Sequence, residues 1–65
     1  MPRRMGARIR TLRQARGLSQ AELAKRARIT REYLNKVEAG RYDVTVGVLR
    51  RLAKALGVSV VELLE

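Results

Sequence analysis

An all-α fold of five short helices is what this sequence predicts, on three observations. Ser or Thr caps with apolar neighbours recur along the chain, at Ser19, Thr30, Thr45 and Ser59. Glycines stand just past the apolar stripes, at Gly17, Gly40 and Gly57, where a left-handed residue ends a helix. Leu, Ile, Val and Ala recur at helical spacing, whereas the one β-rich stretch, Val44 to Val48, is broken by Gly47.

The first helix is expected over residues 5–16, with Met5, Ile9, Leu12 and Arg16 along one face and Gly17 as its stop. Leu18-Ser19-Gln20-Ala21-Glu22-Leu23 then holds a complete capping box, Ser19 with Glu22, inside a Leu18–Leu23 staple. It opens a second helix that turns Leu23, Ala24 and Ala27 inward. Ile29-Thr30 repeats the device, with Tyr33 where the Glu would stand, and Ile29 reaches Leu34. The third helix buries Leu34 and Val37 and ends at Gly40. Val44-Thr45 starts the fourth, lined by Val48, Leu49, Leu52, Ala53 and Leu56 and closed by Gly57. Val58-Ser59-Val60-Val61-Glu62-Leu63 is a full box and staple again and opens a short fifth helix. Each cap is worth about 1 kcal/mol, which matters in a domain whose net stability is about 5–15 kcal/mol.

The 65 residues make a single domain, 1–65. So small a domain buries only about 60% of its unfolded surface, so the core must be efficient. Two Tyr and no Phe or Trp leave that core to aliphatic side chains. The absence of cysteine and histidine removes disulfides, the usual metal ligands and the usual general base. With no carboxylate cluster and no glycine-rich phosphate loop, enzyme chemistry is not expected. Ser19 and Ser59 read as caps, not nucleophiles. A core this small has no room for a typical ligand cavity, so no cofactor is expected.

The charge is large and lopsided. The chain carries +9; residues 1–41 hold twelve Lys/Arg against three acids, and residues 42–65 hold three of each. A basic half of this kind faces a polyanion, with nucleic acid first and a membrane surface second, beside the bland alternative of a solubilising charge. No apolar run approaches the roughly 20 residues needed to span a bilayer. No signal-peptide core is present, so a cytoplasmic, nucleoid-associated location is expected. The basic arm Met1-Pro2-Arg3-Arg4 reads either as a phosphate or minor-groove contact or as a solvated terminus.

Helices two and three are joined only by Arg28-Ile29 and the Thr30 cap, which forces a steep crossing and leaves the third helix protruding. Away from its Leu34–Val37 stripe lie Arg31, Glu32, Asn35 and Lys36. These side chains suit base edges: Arg and Lys match guanine, Asn matches adenine and Glu accepts from cytosine. Tyr33 either faces the groove, or packs over helix two and gives its hydroxyl to a phosphate.

Three segments, GLSQAELAKRA, ITREYLNKVEAGR and LRRLAKALGVSVVELL, resemble the phage Cro and repressor type (XRE-like) of helix-turn-helix regulators across roughly residues 8–64. The resemblance implies a lambda-repressor-like five-helix bundle. It implies a sequence-specific repressor or other regulator of transcription that binds a double-stranded DNA operator. Arg31, Glu32 and Lys36 fall where the family reads bases, with Asn35 beside them. Gln20, Arg28, Thr30, Tyr33, Gly40 and Arg41 are the expected phosphate contacts, the Ala39-Gly40-Arg41 turn offering backbone N–H groups. Arg13 and Glu38 match a structural salt bridge. The sequence departs from the family pattern at Arg28, where relatives commonly have Gly, so that turn is either strained or altered; Val44-Thr45 replaces a common Pro. Relatives dimerise on half-sites about one turn, near 34 Å, apart. The apolar surplus of Val46, Val60, Val61 and Leu64 points to a weak homodimer through the helix 4–5 region. An antitoxin or adaptor role with a toxin or other protein partner is the alternative.

Overall fold

A computed structural model describes residues 3–64, and among them the chain forms five α-helices and no strand. They are α1 (Arg3–Ala15), α2 (Gln20–Ala27), α3 (Arg31–Glu38), α4 (Val46–Leu56) and α5 (Val60–Leu64). α1 starts two residues earlier than expected, so Arg3 and Arg4 belong to its first turn rather than to an arm. Met1 and Pro2, the remainder of that arm, lie outside the described residues.

Three joints are built alike, as Gly17-Leu18-Ser19, Arg28-Ile29-Thr30 and Gly57-Val58-Ser59. In each, the first residue is left-handed, with φ of 68°, 59° and 71° in turn. The apolar residue after it sends its N–H back to a carbonyl five residues earlier: Leu18 to Arg13, Ile29 to Ala24 and Val58 to Ala53, at 2.9–3.1 Å. That closure satisfies carbonyls left open at the helix end. The Ser or Thr then caps the next helix. Ser19 and Glu22 exchange bonds reciprocally, as do Ser59 and Glu62, while Thr30 accepts only from the Tyr33 N–H. Arg28 is the one non-glycine residue among the described ones with positive φ. The turn therefore keeps its shape, and an L-residue bears roughly 1 kcal/mol of strain there.

The core gathers Met5, Ile9, Leu23, Leu34, Val37, Leu52, Leu56 and Leu63, all fully buried. The inward stripe of α1 runs Met5, Ile9, Arg13; Leu12 is only half buried, and Arg16, expected on this face, is exposed. Two features account for the difference. Arg16 lies beyond the last helical residue. At Gly6, a Cβ would stand 2.2 Å from the Val37 carbonyl oxygen and 2.9 Å from that of Glu38, so α1 meets the end of α3 backbone to backbone. Gly6 and Arg13 lie seven residues, about two turns, apart and so share that side of α1. Arg51 on α4 ties itself to the end of α2 by donating to the Ala27 carbonyl at 2.8 Å, and Arg8 on α1 donates to the Glu62 carbonyl of α5. Val46, Val61 and Leu64 remain exposed, whereas Val60 is half buried against the core. No described helix is long and apolar enough to cross a membrane.

Candidate nucleic-acid interface

α3 rests on α1 and α2, and its polar support is as specific as its apolar one. The Arg13 guanidinium grips the Glu38 carboxylate through two bonds, Nε to Oε2 at 2.7 Å and Nη2 to Oε1 at 3.1 Å. Its remaining nitrogen Nη1 donates to the Leu18 carbonyl at 2.8 Å. Gln20, at the first position of α2, donates from Nε2 to Glu38 Oε1 at 3.0 Å. Both ions are about 8% exposed, and no buried side-chain polar atom among the described residues lacks a partner. The structure thus brings together Arg13, Glu38 and Gln20 at the junction of α1, α2 and α3. A buried pair of this kind is costly to break from one side, because the remaining charge is stranded out of water.

The other side of α3 is open. Arg31, Glu32, Asn35 and Lys36 are all exposed. Arg31 and Glu32, in the first turn, make no side-chain hydrogen bond or ion pair with described residues. Asn35 accepts a long bond, 3.4 Å, from Gln20. Lys36 leans to the loop that follows α3, with its ammonium 3.3 Å from the Tyr42 hydroxyl and 5.1 Å from the centre of that ring. Thr30 and Arg28 are exposed at the entrance to the helix, and Arg41 is exposed at its exit.

One expectation needs correction. The Ala39-Gly40-Arg41 turn does not offer free N–H groups. Ala39 donates to Asn35, Gly40 to Val37 and Arg41 to Lys36, each at 3.0 Å, because a left-handed Gly40 closes the helix with those amides. Gly40 therefore has no N–H to give a phosphate, and only the Arg41 side chain remains available there. Tyr33 packs partly on the core and toward the loop that follows α3. It is half buried, its ring lies 5.8 Å from that of Tyr42, and its hydroxyl points at the Asp43 carbonyl at a long 3.5 Å. The loop after α3 folds back over that flank, which local periodicity does not reveal.

Arg10 is a candidate that sequence reasoning missed. It is exposed on α1 and lines one open depression with Arg13, Gln20, Asn35, Glu38 and Ala39. Its place three residues before Arg13 was the available signal, since i and i+3 share a helix side. At the start of α2 the Ser19 backbone N–H, and then its hydroxyl, hold the exposed Glu22 carboxyl below its ordinary pKa. This keeps the capping box ionised.

Comparison with known proteins supports the same arrangement. A helix-turn-helix family model matches residues 9–63. The chain is 43% identical over 63 residues to the HTH-type transcriptional regulator y4dJ of Sinorhizobium fredii, covering 97% of this chain and 82% of that one. It is 39% identical over 56 residues to the immunity repressor protein of Bacillus phage phi105, covering 86% of this chain but 39% of the repressor. The restriction-modification controller protein C.AhdI of Aeromonas hydrophila superposes with a TM-score of 0.90 at 40% identity, covering 92% of this chain and 91% of its own.

Proposed function

We propose, for a chain that belongs to the helix-turn-helix family of DNA-binding transcriptional regulators, that α3 lies in the major groove of an operator and that occupancy represses transcription. What carries this reading is the division of α3: one side anchored by Leu34, Val37 and the Arg13–Glu38–Gln20 cluster, the other presenting Arg31, Glu32, Asn35 and Lys36 to solvent. The anchored side fixes the pitch and height at which the free side meets base edges. In this reading Arg31 and Lys36 address guanine, Asn35 adenine and Glu32 cytosine. Arg28, Thr30, Arg41 and Arg10 lie around them as phosphate contacts, which fix register without reading sequence; Gln20 joins them by giving up its long bond to Asn35 while it keeps the one to Glu38.

One short helix reads too few base pairs for a unique site. A homodimer answers that need, and the apolar side chains of Val46, Val61 and Leu64 on α4 and α5, all exposed, are the contact it would use. The surface is small, so dimerisation is coupled to DNA binding. Residues 1–65 act as one DNA-binding domain in the cytoplasm, beside the nucleoid.

Selection of bound sites from random duplex DNA tests the reading. Recovery of an inverted repeat with half-sites about one turn apart, bound with steep salt dependence, is the expected result. Recovery of no consensus, with weak sequence-blind binding and tight capture of a polypeptide instead, would favour the antitoxin or adaptor role.

A further inference from the structure

We infer that Tyr42 is a positioning residue for recognition: it holds the Lys36 ammonium at the end of α3 while leaving its charge intact. The inference rests on α3 being the groove helix. Lysine is a point charge on a flexible four-carbon stem, so an unrestrained one loses much rotamer freedom when DNA fixes it. Here the restraint exists beforehand. The ammonium sits 3.3 Å from the Tyr42 hydroxyl and 5.1 Å from the ring centre. A carboxylate in that place would cancel the charge that guanine or phosphate must meet. A neutral phenol orients the cation through its oxygen lone pairs and cancels nothing.

The holder is itself held. Tyr42 leans on the Tyr33 ring at 5.8 Å and a 54° tilt. Tyr33 is half buried against the core, and its backbone N–H is fixed by the Thr30 cap. A relay therefore runs from core to Tyr33, to Tyr42, to Lys36. Nothing equivalent holds Arg31 among the described residues. The two cations of α3 thus differ: Lys36 is set before DNA arrives, and Arg31 is ordered on arrival. Tyr42 itself is 44% exposed, so replacing it opens no core cavity.

The test is a double-mutant cycle on the selected operator, using Tyr42→Ala, Lys36→Ala and the pair, with Tyr42→Phe as the variant that removes only the hydroxyl and Arg31→Ala as a control. Alongside it, the order of the Lys36 side chain in the free protein is followed by NMR relaxation. Tyr42→Ala should weaken binding about two- to tenfold, the range of one hydrogen bond, when Lys36 is present and have no effect once Lys36 is Ala. Tyr42→Phe should lose nearly as much, because it keeps the ring and removes the oxygen. The Lys36 side chain should be more ordered than that of exposed Lys25 and lose that order in Tyr42→Phe. Equal losses in both Lys36 backgrounds, or a Lys36 side chain as mobile as Lys25 in the wild-type protein, would overturn the proposal. If Lys36→Ala is silent while Arg31→Ala is not, the positioning role fails and the groove reading stands. If both are silent, the groove reading itself fails.

Discussion

The two sides of α3 are eight residues seen from opposite directions, and they obey different physics. Inward, Leu34, Val37 and Glu38 are buried, and every polar atom has a fixed partner. Outward, Arg31 and Glu32 make no side-chain hydrogen bond or ion pair with a described residue, and Lys36 meets only the neutral Tyr42 hydroxyl. The inner side determines where the helix is, and the outer side is left for something outside the protein. If this division is right, substitutions inside should change stability, and substitutions outside should change binding alone.

The largest expected effect is on the inner side. Glu38→Ala strands the Arg13 guanidinium and removes the acceptor of Gln20. It should destabilise the fold by about 3–5 kcal/mol, read as a large fall in Tm. Gly6→Ala follows, because the new methyl collides with backbone carbonyls that cannot swing aside. Overpacking of this kind costs about 1–3 kcal/mol, which calorimetry would report as roughly 4–8 °C per kcal/mol in a domain of this size. On the outer side, Arg31→Ala should lower operator affinity by about 1–3 kcal/mol and leave Tm nearly unchanged, as competition titration and a melt would show together.

Arg28 sharpens the comparison because it belongs to both sides. Its joint matches those at Gly17 and Gly57 except for the side chain, which is exposed and cationic beside the start of α3. Arg28→Gly should raise stability by about 1 kcal/mol while reducing the salt dependence of DNA binding by roughly one phosphate contact. A gain in one property with a loss in the other is the signature of strain retained for charge. The smallest effect concerns pH. Glu22 is an exposed carboxyl whose pKa is lowered in the folded state by Ser19. Its contribution is complete above the ordinary carboxylate pKa and is lost as pH falls through the lowered one. Glu22→Gln should flatten the acid limb of stability against pH slightly.

Much of this architecture was legible because the chain punctuates it locally. Ser19 with Glu22, Ser59 with Glu62, and the glycines at 17, 40 and 57 act within a few residues of themselves, so their spacing carries the information. What was not legible depends on distant contacts. Gly6 looks like any helical glycine until α3 is laid against it, whereas the inward Arg13 was legible through the resemblance that paired it with Glu38. The Tyr33–Tyr42–Lys36 relay needs the loop after α3 to fold back. The committed amides of residues 39–41 are a different kind of miss. The logic that made Gly17 a closed helix stop applies equally at Gly40, and it already implies that those N–H groups are taken.

The most direct measurement is an NMR titration of the isotope-labelled protein with its selected duplex, following side-chain and backbone signals together. The largest changes should fall on Arg31, Glu32, Asn35 and Lys36, with smaller ones at Arg10, Gln20, Arg28 and Arg41, while the Arg13 guanidinium stays put. Changes centred on α5 and absent from the outer side of α3 would contradict the account.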